Sequence, residues 1–339
     1  MSENVASTPL MVEWLVSEKC NLKCEFCSSS QYTESGQKLS PQQVIELAHH
    51  IVDLHVFSII VSGGEPLLHP QVYDVIKILS EGGVEVSVPT NGTLIDDKAI
   101  TKLKESGAGA VQVSIDGKDE KTHDALRGVR GTFKKAVTAI RNLARSGVPV
   151  GASTTVSSAN INQIKDIAYL LDELGAVSYN VRACMPCGKA GPDYQNMAPS
   201  PDEWHRALAS LPGLNESVTI EIVSMDPLQI PLTPPSSENV AGGFLSCGVG
   251  RTGCAIGSDG TVTPCAYIEE AAGNVTEQSL EDIWQNSPVL QKYRSRETMI
   301  GGKCLTCQWN TMCGGGCKAR SYGVYKDIST PDPLCWVEP

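Results

Sequence analysis

The chain of 339 residues predicts an α/β fold, an open partial barrel of six parallel strands followed by a small cysteine-rich domain. Three observations predict it. Short β-branched runs alternate with amphipathic helical stretches from residue 11 to about 185. Glycines stand where those helices should stop, at Gly82-Gly83, Gly107 and Gly147. Of the 13 cysteines, eight fall after residue 246, in a stretch of glycines and short turns.

Each element follows from local pattern. Strands are expected at 11–16, 57–61, 84–88, 109–115, 148–156 and 178–183. The first helix begins at Ser40-Pro41-Gln42-Gln43, a capping box with proline at the first helical position. Its Val44, Leu47, Ala48, Ile51 and Val52 keep one apolar stripe. Similar helices fit 69–81, 96–106, 132–146 and 160–174. Repeated β-α units imply a parallel sheet wound in one direction. Six strands are too few to close an eight-stranded barrel, so the expected form is a partial (β/α)6 TIM-like barrel. Its chemistry belongs on the loops after strand C-termini. The domains expected are an N-terminal extension (1–10), the barrel core (11–187), a proline-rich connecting segment (188–246) and the cysteine-rich domain (247–339). That last domain has one clear helix near 279–284, and metal ligation is its expected staple.

Composition narrows the function classes. The net charge of -11 opposes binding to phosphate backbones and to anionic membranes, so no nucleic acid or membrane partner is expected. No apolar run reaches the roughly 20 residues of a membrane span. The start, MSENVASTPL, lacks the basic and apolar blocks of a signal peptide. A soluble cytoplasmic protein is the expectation, and in a reducing compartment grouped cysteines read as metal ligands rather than a disulfide framework.

Cys20, Cys24 and Cys27 follow the first strand. Three thiolates on one loop can hold three irons of a [4Fe–4S] cube and leave the fourth iron open to a substrate or cofactor. The competing reading is a structural zinc site lacking one ligand, or buried unpaired cysteines. With this spacing the sequence resembles the radical S-adenosylmethionine (SAM) enzymes. The second strand ends in Ser62-Gly63-Gly64-Glu65-Pro66, which resembles the family segment that binds the methionine amino group. Glycines permit close backbone approach, and a carboxylate accepts hydrogen bonds from an ammonium. Pro89-Thr90-Asn91-Gly92-Thr93 and Ser114-Ile115-Asp116-Gly117 resemble the loops around the cofactor's methionine and ribose. Ser114 and Arg127 match positions that contact SAM in relatives. For Asn91, Asp116 and His123 turn chemistry or capping is the competing reading. The resemblance implies that a reduced cluster cleaves SAM to a 5′-deoxyadenosyl radical, which abstracts a hydrogen atom from the substrate. It also implies an electron donor such as a flavodoxin, ferredoxin or reductase.

The C-terminal cysteines resemble the SPASM extension, which holds two auxiliary [4Fe–4S] clusters. The resemblance implies Cys247, Cys254, Cys265 and Cys317 for one and Cys304, Cys307, Cys313 and Cys335 for the other, hence three [4Fe–4S] clusters in all. Spacing alone would have grouped the consecutive four, and one or two zinc ribbons compete for the same thiols. Cys184 and Cys187 are left over. One reading makes a thiol of the pair a hydrogen-atom donor to a substrate radical; the other makes both small buried hydrophobes. Alternation points Asn180, Arg182 and Cys184 into the barrel, and Met185 matches a position near the adenine in relatives. For substrate, the expectation is a ribosomal peptide or peptidyl side chain. The alternatives are epimerase or dehydrogenase action on a sugar or aminoglycoside, or on a haem precursor. From other classes, an iron–sulfur electron carrier or a zinc-stabilised binding module shares the cysteines but needs neither Gly63-Gly64-Glu65-Pro66 nor Arg127.

Overall fold

Strands β1 (Met11–Ser17), β2 (Ser58–Gly63), β3 (Glu85–Thr90), β4 (Ala110–Ser114), β5 (Val150–Val156) and β6 (Ser178–Ala183) lie side by side, all parallel, in chain order. They come from a computed structural model whose described residues are 5–32, 38–233 and 247–338. Helices α1 (Pro41–Asp53), α2 (Val72–Glu81), α3 (Asp97–Glu105), α4 (Glu120–Arg127), α5 (Thr132–Ser146) and α6 (Ile164–Leu174) occupy the crossovers. The helix starts obey the sequence signals. Ser40 Oγ accepts from Gln43 N at 3.3 Å, while Gln43 Oε1 accepts from Ser40 N at 2.9 Å.

Side-chain alternation decides what faces what. Val12 and Trp14 on β1, Val111 and Val113 on β4, and Tyr179 and Val181 on β6 are essentially sealed from solvent under the helices. Glu13, Ser62, Ser87, Gln112, Ser114, Ser153, Thr155, Asn180 and Arg182 take the opposite phase and line the barrel. The outer layer is therefore the apolar core, and the lumen is polar.

Two expectations are corrected. Residues 188–246 are not merely connecting structure: they hold α7 (Tyr194–Met197), the long α8 (Pro201–Asn215) and β7 (Glu221–Val223), which pairs parallel with β6. The start of α8 repeats the signature of α1, with Ser200 and Glu203 forming a capping box around Pro201. Nor does the sheet stop at six strands. Beyond the far edge, β8 (Gly253–Ile256) pairs parallel with β1, followed by antiparallel β9 (Thr261–Thr263) and β10 (Gly273–Asn274). The sheet has ten strands in the order β10-β9-β8-β1-β2-β3-β4-β5-β6-β7. The expected segments 1–10 and 188–246 lie partly outside the described residues, which omit 1–4 and 234–246.

A buried ionic knot ties the C-terminal region to the segment after β7. Arg320 donates from Nη1 to Asp226 Oδ2 at 2.7 Å and from Nη2 to Asp332 Oδ2 at 2.6 Å. Its Nε reaches Asp332 Oδ1 at 2.9 Å. Trp204 Nε1 on α8 completes Asp226, and the backbone N–H of Cys317 completes Asp332.

Candidate active site

The loop after β1 is pinned from three sides. Lys23 N and Glu25 N donate to the carbonyls of Arg127 and Leu126, at 3.2 and 3.1 Å. Gly64 N and Glu65 N donate to Ser17 O and Lys19 O, at 2.6 and 2.8 Å. Lys189 N and Ser30 Oγ both reach Cys27 O. Cys20 on this loop is exposed, Cys27 half-buried and Cys24 buried. Burial raises the Cys20 thiol pKa, and Cys24, Cys27 and Glu65 lie close enough to add to that rise. The three thiols are thus held near one another by a fixed backbone, a donor set that fits the cluster expected from the sequence. All thirteen cysteines are free thiols.

The Gly-Gly-Glu-Pro segment packs against this loop. A Cβ on Gly63, whose φ is +143°, would meet Ser17 O at 2.3 Å, and one on Gly64 would meet Lys19 O at 2.5 Å. The close approach demanded of these glycines is therefore to the cysteine loop itself. Glu65 is wholly buried. Its Oε1 accepts from Thr90 Oγ1 at 2.8 Å and from Leu67 N at 3.2 Å, and its Oε2 accepts from Asn91 N at 2.8 Å. These three donors tie the carboxylate to the start of its own segment and to the end of β3. Pro66 follows it, buried, at the start of a short turn.

Asn91 continues the same network: its Nδ2 reaches Asn21 Oδ1 at 2.8 Å and its Oδ1 accepts from Thr93 N at 2.9 Å. Ser114 ends β4 on the lumen face, half-buried. Asp116 is sealed from solvent and accepts from Thr155 N at 2.8 Å and from Arg127 Nε. Arg127 also donates from Nη1 to Cys24 Sγ at 3.7 Å and stacks 5.4 Å from the Phe26 ring. Asp116 thus takes one edge of the guanidinium and Cys24 the other. His123 Nδ1 accepts from Asp116 N at 3.0 Å, and burial lowers its pKa to about 4, so the ring is a neutral brace.

Cys184 and Cys187 are both buried, in adjoining apolar clusters, and Cys187 lies close enough to Cys184 and Cys27 to feel their charge. Cys184 packs with Cys24, Cys27, Phe26 and Leu126 around the first cysteine loop. Cys187 packs with Met185, Cys247, Cys265 and Cys317. Burial pushes Cys184 up to about 12 and Cys187 higher still, so both remain protonated at neutral pH. Met185 is buried in an apolar cluster with Cys187, against which Cys247, Cys265 and Cys317 pack.

Those C-terminal thiols fall into two neighbourhoods. Cys265 has Cys247 and Cys317 close enough to act on its charge. Cys304 has Cys335 and Cys307, and Cys313 has Cys335. Cys317 and Cys335 are thus exchanged between groups, against the order along the chain. Cys254, on β8, is buried with Arg294 as its charged neighbour, apart from the others in this respect. Lys318 stands between the groups, wholly buried, with Nζ on Met299 O at 2.5 Å.

Sequence reasoning missed Glu13 and Tyr267. Tyr267, two residues after Cys265, accepts a hydrogen bond from Arg182 Nη1. Glu13 on the opposite side of the lumen accepts from Ser62 Oγ at 3.1 Å. The signal for Glu13 was available: a carboxylate in phase with the lumen face of an otherwise apolar strand.

Comparison with known proteins places this site. Residues 14–171 match the model of the radical SAM superfamily, and residues 247–308 match SPASM, described as an iron–sulfur cluster-binding domain. AdoMet-dependent heme synthase of Methanosarcina barkeri is 30% identical over 99% of this chain and 98% of its own length. Mycofactocin maturase MftC of Mycobacterium ulcerans is 29% identical over 98% of this chain and 89% of its own. SuiB of Streptococcus suis, solved with S-adenosylmethionine bound, has a TM-score of 0.80 at 20% identity, covering 98% of this chain and 78% of that one. The chain belongs to the radical SAM superfamily and carries the SPASM extension: it is an enzyme that works with S-adenosylmethionine and iron–sulfur clusters.

Proposed function

We propose that this enzyme uses three [4Fe–4S] clusters and SAM to modify a haem precursor by hydrogen-atom abstraction. The single observation behind the choice of substrate is co-extension with a heme synthase: 30% identity over 99% of this chain and 98% of that one. The peptide expected first from the sequence becomes the second reading, favoured by the 29% identity to a mycofactocin maturase over 98% of the chain.

In this reading Cys20, Cys24 and Cys27 hold the first cluster. Cys247, Cys254, Cys265 and Cys317 hold the second, and Cys304, Cys307, Cys313 and Cys335 the third. When bound, the first cluster and SAM would supply the one-electron chemistry for hydrogen-atom abstraction. The chain's own residues do the rest. Gly63, Gly64, Glu65 and Pro66 fix the cluster loop against β2, and Asn91 ties it to β3. Asp116 orients Arg127, which steadies Cys24 and leaves one guanidinium nitrogen toward the SAM carboxylate. Ser114 offers its hydroxyl on the same rim, and Met185 borders the adenine. Electrons come from a flavodoxin, ferredoxin or equivalent reductase.

The test is anaerobic. Enzyme reconstituted with iron and sulfide should hold about twelve irons per chain, four for each of three cubes. Given dithionite, SAM and Fe-coproporphyrin III, it should form 5′-deoxyadenosine and a porphyrin of altered mass. Nucleoside formed without any change in the porphyrin would remove the haem-precursor reading. About four irons would remove the auxiliary clusters.

A further inference from the structure

The polar lumen of the barrel carries a cation that makes no ion pair with a carboxylate among the described residues. Arg182, near the C-terminal end of β6, takes the inward phase of its strand and keeps part of its surface open. A guanidinium presents five N–H donors. Arg182 places one of them, from Nη1 to the Tyr267 hydroxyl, with its Cζ 5.9 Å from the Tyr267 ring centre. Among the described residues it forms no ion pair, unlike Arg127 with Asp116 and Arg320 with Asp226 and Asp332. Glu13 and Cys265 attract it without a hydrogen bond, and burial holds the Glu13 carboxyl toward its neutral form. An enclosed cation with spare donors is costly unless something pairs with it. The fork geometry of arginine matches a carboxylate. Tyr267 fixes the fork from the C-terminal segment, two residues beyond Cys265, so both regions of the chain define its position.

We infer that Arg182, held by Tyr267, is a substrate-anchoring residue that pairs with a carboxylate carried by the substrate in the barrel lumen. This rests on the proposed function only in placing the substrate in the lumen. Coproporphyrin carries carboxylic side chains and a peptide carries its C-terminus, so the shared chemistry is the carboxylate.

The experiment is arginine-selective modification with phenylglyoxal on the anaerobic, cluster-loaded enzyme with SAM present throughout, read at Arg182 by peptide mass spectrometry. Three acid and neutral pairs serve as probes: Fe-coproporphyrin III and its tetramethyl ester, acetyl-trialanine and its C-terminal amide, and succinate and succinamide. Arg182 should react in the SAM-loaded enzyme, and at least one acid should slow that reaction threefold or more while its neutral partner does not. Protection by the porphyrin at the lowest concentration points to a tetrapyrrole source, and by the tripeptide to a peptide. Tyr267→Phe should speed the modification, since it removes the one hydrogen bond on the fork. Turnover of whichever acid protects should show a raised KM in Arg182→Lys with kcat little changed. The inference is overturned if Arg182 fails to react with SAM alone present, if no acid slows it, or if neutral partners slow it equally. Protection by succinate without turnover of Fe-coproporphyrin III would remove the haem-precursor reading and leave the anchor standing.

Discussion

Replacing Arg320 with alanine should unfold the C-terminal half of the protein before anything else. The side chains of Arg320, Asp226 and Asp332 are 3%, 4% and 0% exposed, so two carboxylates would be left in the interior without their cation. Removing one partner of such a buried pair costs about 3–5 kcal/mol. At roughly 2–4 °C per kcal/mol for a chain of this class, the thermal midpoint should fall on the order of 10 °C. Arg320→Lys keeps the charge but cannot fork between Asp226 and Asp332, and should lose about half as much. The assay is circular dichroism melting of the anaerobic protein together with iron content. Because Asp332 also holds the backbone N–H of Cys317, iron should be lost chiefly from the C-terminal sites. A midpoint lowered by less than about 2 °C, under 1 kcal/mol on the same scale, with iron content unchanged, would refute the claim that this knot secures the region.

Gly64→Ala should cost about 1–3 kcal/mol, because its Cβ would sit 2.5 Å from Lys19 O and 2.7 Å from Glu18 O, both backbone atoms; SAM cleavage, measured as 5′-deoxyadenosine, should fall with it. His123→Asn keeps an acceptor for Asp116 N and removes the titration. In the native enzyme the His123 pKa is lowered from 6.5 to about 4, so the unfolded chain takes up the proton first and stability should drop as pH falls from 6.5 toward 4. Melting curves across that window should show about 3 kcal/mol of slope in the wild type and a flatter profile in the variant. Cys184→Ala and Cys187→Ala, assayed separately, decide the donor reading. A variant that still cleaves SAM but forms no finished product marks the hydrogen-atom donor, and full product formation by both ends that role for the pair.

The barrel was legible because its elements announce themselves locally. Helix α5 and strand β6 match the expected bounds 132–146 and 178–183, the first because Gly147 ends an amphipathic stripe and the second because its alternation is strict. Helix α8 carried the same capping box as α1 but lay among prolines, and the composition of the stretch outweighed its start signal. Strands β7 and β8, of three and four residues, are too short to show a period, and only pairing with β6 and β1 makes them strands. At the site, residue types were readable and their partners were not. Nothing local says that Glu65 bonds Thr90 and Asn91 at the end of β3, or that Asp116 takes Arg127 from the end of α4, because those partners come from other elements. Arg182 was read as inward-facing from alternation, yet Tyr267 enters from a segment 85 positions along, beyond any pattern in the chain.

The pairing of β8 with β1 bears on how the polypeptide is made. Met11 pairs in register with Gly253, so β1 keeps an open flank until the segment around Gly253 has been made. An unsatisfied strand edge is a template for other chains, and closing it late is slow. Truncation before Gly253 should therefore yield a sticky barrel rather than a tidy minimal catalyst. Loss of activity on deleting the C-terminal region would then report an uncovered edge as much as missing metal centres.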